Sequence, residues 1–241
     1  MTDRLPLLLP YLPPPLLRSV QANPGRPPHC SAQRFAAALL FADVSGFTPL
    51  TEALGRHGSA GAEELNRLMN SYFDRMISLL TAEGGEVVSF SGDAISVLFP
   101  ALDEPPGHAV RRAYQAGTAM QAAMAAFHTL PTSVGPVTLG MKVSIGAGEV
   151  VALQVGGIFD RWEYVIAGEP LQQIAAAEPQ MTRGAVLLSP EAQALLYPEP
   201  LPARARGPLL PADTPEPDAL AEVLRCYVSR AVETALRAGK H

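Results

Sequence analysis

"LLFADVSGFTPLTE", Leu39 to Glu52, decides how the rest of the chain is read. An unbroken apolar run, Phe35 to Ala42, reads as a buried strand and ends in one carboxylate, Asp43. Ser45-Gly46 then turns the chain, and Phe47 onward looks like the start of a helix. A charge beside so apolar a strand is costly unless something neutralises it.

Working outward, Ala60 to Ala82 is an amphipathic helix, with Leu65, Leu68, Met69, Tyr72, Phe73, Met76 and Leu80 at helical spacing. Glu83-Gly84-Gly85 stops it. "EVVSF" and "AISVLF" are short strands around Ser91-Gly92-Asp93, the punctuation of a hairpin. Pro105 to His128 predicts a second helix with Val110, Tyr114 and Met124 as core contacts. "VTLGMKVSIGAGEVVALQVGG" predicts two strands around Gly146 to Gly148, and "RWEYVIAG" another. Glu169 to Gln180 predicts a third helix with Pro170 in its first turn. "AVLLS" is a strand, "PEAQALL" a short helix, Tyr197 to Asp218 a Pro-rich loop and "LAEVLRCYV" a last strand. Helices interleave with hairpins, which predicts an α+β fold: a ferredoxin-like mixed or antiparallel sheet with helices packed on it.

The boundaries follow from composition. Residues 1 to 33 form a Pro-rich lead-in with one short helix, Pro14 to Ala22; 34–228 form the domain; 229–241 form a helical tail that could link to a following domain. "YLPPPLLRSVQANPG" from Tyr11 and "YVSRAVETALRAG" from Tyr227 share a weak repeat pattern, which chance explains as well as duplication.

With 241 residues, 48% of them apolar, the chain can bury a sizeable core. A net charge of -5 with no Lys/Arg cluster argues against a dedicated nucleic-acid surface. Lys142 and Lys240 are the only lysines. Cys30 and Cys226 have no metal-site spacing and read as reduced thiols of a cytoplasmic protein. Prolines interrupt the apolar start before it reaches membrane-spanning length, and no basic segment precedes an apolar core as in a signal peptide.

Taken singly, Asp43 reads as a helix cap or turn residue and Asp93 as a hairpin-turn residue. Taken together, with the strand beside the hairpin, both carboxylates reach one rim of the sheet. Two hard oxygen ligands there suit Mg²⁺ or Mn²⁺, which hold substrate phosphates through few protein ligands. Ser45, Gly46, Phe47 and Thr48 would offer free backbone N–H groups at a helix N-terminus, a cradle for phosphate.

"FADVSGFTPLTE", "GAEELNRLMNSYF", "GGEVVSFSGDAISVLF", "VSIGAGEVV" and "EYVIAGEPLQQIAAAE" occur in that order between Phe35 and Pro190. Together they resemble the catalytic domain of the class III adenylyl/guanylyl cyclases, in particular the first catalytic domain of the bicarbonate-responsive soluble adenylyl cyclases. The resemblance implies a head-to-tail pair of domains with each active site at their interface. It implies that Asp43 and Asp93, with the Val44 carbonyl, hold two divalent ions, Mg²⁺ or Mn²⁺ with Ca²⁺ also admitted. One ion would activate the ribose 3′-hydroxyl and the other ride on the β- and γ-phosphates, giving cyclic AMP and pyrophosphate from ATP. Arg161, in "FDRWEY", lies one residue out of register from a phosphate-contacting arginine of the family, and reads equally as a solvated turn charge. Trp162 and Tyr164 read as packing or interface residues.

The family's opposite face carries a base-reading Lys and Asp, an Asn, and an Arg that neutralises transition-state charge. Here those positions are Ser89, Val165, Gln172 and Ala176. The bicarbonate-binding Lys and Arg positions match Ser89 and Ala175, which puts bicarbonate sensing by those residues in doubt. The resemblance therefore implies a half-site needing a complementary domain in the same or another chain. A degenerate cyclase-homology domain that binds nucleotide or a partner and regulates is the alternative. A palm-like two-metal nucleotidyl transferase is a distant third reading.

Overall fold

The computed structural model describes residues 12–22, 27–158, 161–196 and Val228. The Pro-rich loop, the last strand up to Tyr227, the 229–241 tail and most of the repeated segments lie outside the described residues. The elements run α1 (Pro14–Ala22), β1 (Ser31–Ser45), α2 (Phe47–Gly55), α3 (Gly58–Ala82), β2 (Glu86–Ser91), β3 (Ala94–Pro100) and α4 (Pro106–Ala123). Then come β4 (Thr129–Leu130), β5 (Val137–Thr138), β6 (Gly140–Ile158), β7 (Arg161–Gly168), α5 (Glu169–Ala177), β8 (Val186–Leu188) and α6 (Pro190–Leu195). The fold is α+β, as the alternation of hairpins and helices predicts.

The chain divides into two compact units. The larger, 35–150 with 168–201, holds a sheet in the order β2-β3-β1-β6, with β8 parallel to β6. Period-two alternation builds its core: Leu40, Ala42 and Val44 of β1, and Ile95 and Val97 of β3, join Tyr72, Met76 and Leu80 of α3 in one buried cluster. Gly61 allows α3 to close on α2, since a Cβ there would collide with the Leu54 carbonyl. Arg112, 4% exposed, bonds Glu104 at 2.5 Å and the carbonyls of Glu83, Gly84 and Pro100. Removing it would strand a part-buried carboxylate and three backbone carbonyls, a loss of at most about 3–5 kcal/mol.

The smaller unit, 1–34 with 151–167 and 202–241, contains α1, the end of β6 and β7 beside it. Leu16, Leu17 and Val20 of α1 are buried, and Gln154 Nε2 donates to Ser19 Oγ at 2.7 Å.

Four expectations need correction. β1 extends beyond Phe35–Ala42 to Ser31 and Ser45, so Asp43 lies within the strand. β6 is one strand through Gly146 to Gly148, not two. Those glycines mark close approach: a Cβ at Gly146 would lie 2.5 Å from the Pro170 carbonyl oxygen of α5. The second and third helices end at Ala123 and Ala177, each continuing as a single 3₁₀ turn. Tyr114 is 38% exposed, because the buried stripe of α4 runs through Ala109, Val110, Ala113, Ala116 and Met120.

Candidate active site

Asp43 and Asp93 are brought together by strand pairing. β1 and β3 run antiparallel with Phe41 opposite Ser96 and Ala42 opposite Ile95. One further step sets Asp43 across from Ala94, and Asp93 is the next residue. β2 and β3 close on Ser91 opposite Ala94, so Gly92 and Asp93 form a two-residue hairpin loop. Gly92, with φ 65, supplies the left-handed backbone such a loop needs. Neighbouring strands lie about 4.7–4.9 Å apart, so both acids stand at one rim.

Their electrostatics agree with that closeness. Burial, then the Asp93 charge, then Glu178 push the Asp43 carboxyl above its usual range, while Lys142 pulls it down. The Tyr72 hydroxyl, wholly buried, is pushed well above the phenol range by burial first and then by Asp93 and Asp43. It donates to Met141 Sδ at 3.6 Å. Neither aspartate makes a hydrogen bond or ion pair among the described residues.

The next turn forms the expected helix start. Gly46 caps α2 with φ 110, and no side chain caps it. A Cβ at Gly46 would lie 2.6 Å from the Thr138 carbonyl oxygen, so only glycine fits. Leu50 N–H donates to the Gly46 carbonyl at 3.3 Å, and Pro49 has no N–H. The N–H groups of Phe47 and Thr48 therefore have no partner within the helix. Phe47 contributes by its backbone alone, since its ring is buried edge-on against Tyr72 at 5.4 Å. The Ser45 hydroxyl is committed to the Gly140 carbonyl at 3.1 Å.

Asp43, Val44, Ser45, Gly46, Phe47, Thr48 and Asp93 thus lie in one unit. Arg161 belongs to the other, where it donates to the Val228 carbonyl at 2.6 Å. Among the described residues no three His, Cys, Asp or Glu side chains gather as a closed metal cage. Two like-charged carboxylates at a rim, beside the Val44 carbonyl, fit a hard cation that draws its remaining ligands from water and phosphate. Lys142 and Glu178 are charged neighbours of Asp43 that sequence reasoning did not place there. The alternation of β6 could have put Lys142 on the polar face, but not beside Asp43.

The chain matches the family described as adenylate and guanylate cyclase catalytic domain over residues 31–210. It is 25% identical over 170 residues to adenylate cyclase type 10 of Oryctolagus cuniculus, covering 70% of this chain but only 10% of that protein. The crystal structure of the adenylyl cyclase CyaB from P. aeruginosa is similar with a TM-score of 0.54 and 25% identity, over 68% of this chain and 82% of that one. That of the guanylyl cyclase Cya2 is similar with a TM-score of 0.51 and 26% identity, over 70% of this chain and 80% of that one. No helix among the described residues is long and apolar enough to cross a membrane.

Proposed function

The chain belongs to the adenylate and guanylate cyclase catalytic domain family, and from that premise we propose that it supplies the metal-bearing half of a nucleotidyl cyclase site. ATP is the preferred substrate, on the resemblance to adenylate cyclases. The observation that carries the reading is the shared rim of Asp43 and Asp93, two acids with no donor among the described residues.

In this reading Asp43, Asp93 and the Val44 carbonyl hold two divalent ions, Mg²⁺ or Mn²⁺. When bound, such ions polarise the attacking hydroxyl and the leaving phosphate oxygens. The N–H groups of Phe47 and Thr48 receive phosphate oxygens at the α2 N-terminus, with Gly46 keeping the approach open. The ribose 3′-oxygen bonds the α-phosphorus as the bond to the β-phosphate bridging oxygen breaks. Pyrophosphate leaves with that electron pair, and the 3′ proton is released. A complementary domain, in the same or another chain, supplies the base-reading groups and the transition-state arginine. Ser89, Gln172 and Ala176 are exposed but carry no charge to serve in those roles.

The same exposed, uncharged positions favour a second reading, a regulatory module without turnover. One experiment separates them. The purified chain should bind Mn²⁺–ATP and cyclise it slowly or not at all. Adding a domain that carries the missing Lys, Asp, Asn and Arg should restore cyclic AMP formation. Rapid cyclisation by the chain alone would refute the half-site. Metal–nucleotide binding with no rescue by any complementary domain would favour the module.

A further inference from the structure

The site's own cation has a place in this scheme, and the inference rests on the two-aspartate reading. The Ser45 hydroxyl reaches the Gly140 carbonyl, and Gly46 packs on Thr138 and Leu139. As β1 steps forward its neighbours step backward, so β1 and β6 run antiparallel here. Two residues back from Ser45 is Asp43; two forward from Gly140 is Lys142. Period-two alternation puts both on one face of neighbouring strands. Burial agrees, because the flanking Ala42, Val44, Met141 and Val143 all join the helix-side core. Lys142 makes no hydrogen bond or ion pair among the described residues. The next residue on its face, Ser144, is 1% exposed with an unpartnered hydroxyl.

We infer that Lys142 is a positioning residue: its ammonium stands in for a cation beside Asp43 and competes with the first metal ion. Metal alone then binds weakly. Metal with nucleotide binds well, because the triphosphate draws the ammonium away from the carboxylates. Removing the charge should therefore strengthen metal binding, an outcome that damaged packing would not produce.

The test is a Mn²⁺ titration of the full chain, read as loss of the free-ion electron paramagnetic resonance signal. Lys142→Gln should bind Mn²⁺ alone about tenfold more tightly, the contribution of one screened charge near a half-buried carboxylate. Mn²⁺–ATP binding should change less, and Lys142→Arg should behave as wild type. Should the Gln variant fail to fold, Lys142→Met, which keeps the aliphatic stem, reads out the same sign. Unchanged or weaker Mn²⁺ binding would overturn the inference. So would weakening confined to Mn²⁺–ATP, which would make Lys142 a phosphate ligand. Asp43→Asn and Asp93→Asn in the same titration report on the parent reading: if they bind Mn²⁺ like wild type, the two-aspartate site falls and this inference with it.

Discussion

The two faces of the central strands do opposite things with alternate residues. On one face Leu40, Ala42, Val44 and Ile95 are buried against α3 and neighbouring helices. On the other, Asp43, Ser45 and Lys142 remain half-buried. The first face contributes stability through apolar area removed from water, and the second tolerates like charges close together. One backbone thus holds chemistry rigidly because its reverse side is packed.

The comparison breaks most sharply at the acids. Asp43→Asn, measured with a complementary domain, should cut cyclic AMP formation by about 10³-fold or more, the scale of losing transition-state charge stabilisation. Its melting temperature should not fall. If the same variant unfolds, the polar face is structural after all. On the packed face, Leu40→Ala should cost about 2–5 kcal/mol in chemical denaturation and leave Mn²⁺ affinity of the folded fraction unchanged. A large affinity change there would mean the faces are not separable. The smallest effect is in pH. Because the folded Asp43 carboxyl sits above its usual range, the unfolded chain binds fewer protons between the two values. The metal-free chain should lose stability as pH rises from about 4 through the raised folded value, and then level off. Screening holds the effect below about 1 kcal/mol. Asp43→Asn should flatten that part of the profile, and an identical profile would remove the repulsion from the account.

Much of this was legible beforehand. Apolar alternation and the Ser91-Gly92-Asp93 turn locate β1, β2 and β3, and the α3 stripe is readable from spacing alone. Gly146 misled, because a glycine that lets another backbone approach looks in sequence like one that turns. Tyr114 misled because an aromatic ring outweighed the small-residue stripe of Ala113, Ala116 and Gly117. Lys142 could not be paired with Asp43 in advance, since nothing local fixes how strands so far apart in the chain align.

The hairpin between β2 and β3 leaves no slack: Gly92 and Asp93 are its entire loop. A one-residue slip of β1 against β3 would turn Asp43 inward and Val44 outward. Length variation in natural versions of this segment should therefore be confined to the far side of α2, while substitutions at the outward positions are tolerated wherever they keep the acids.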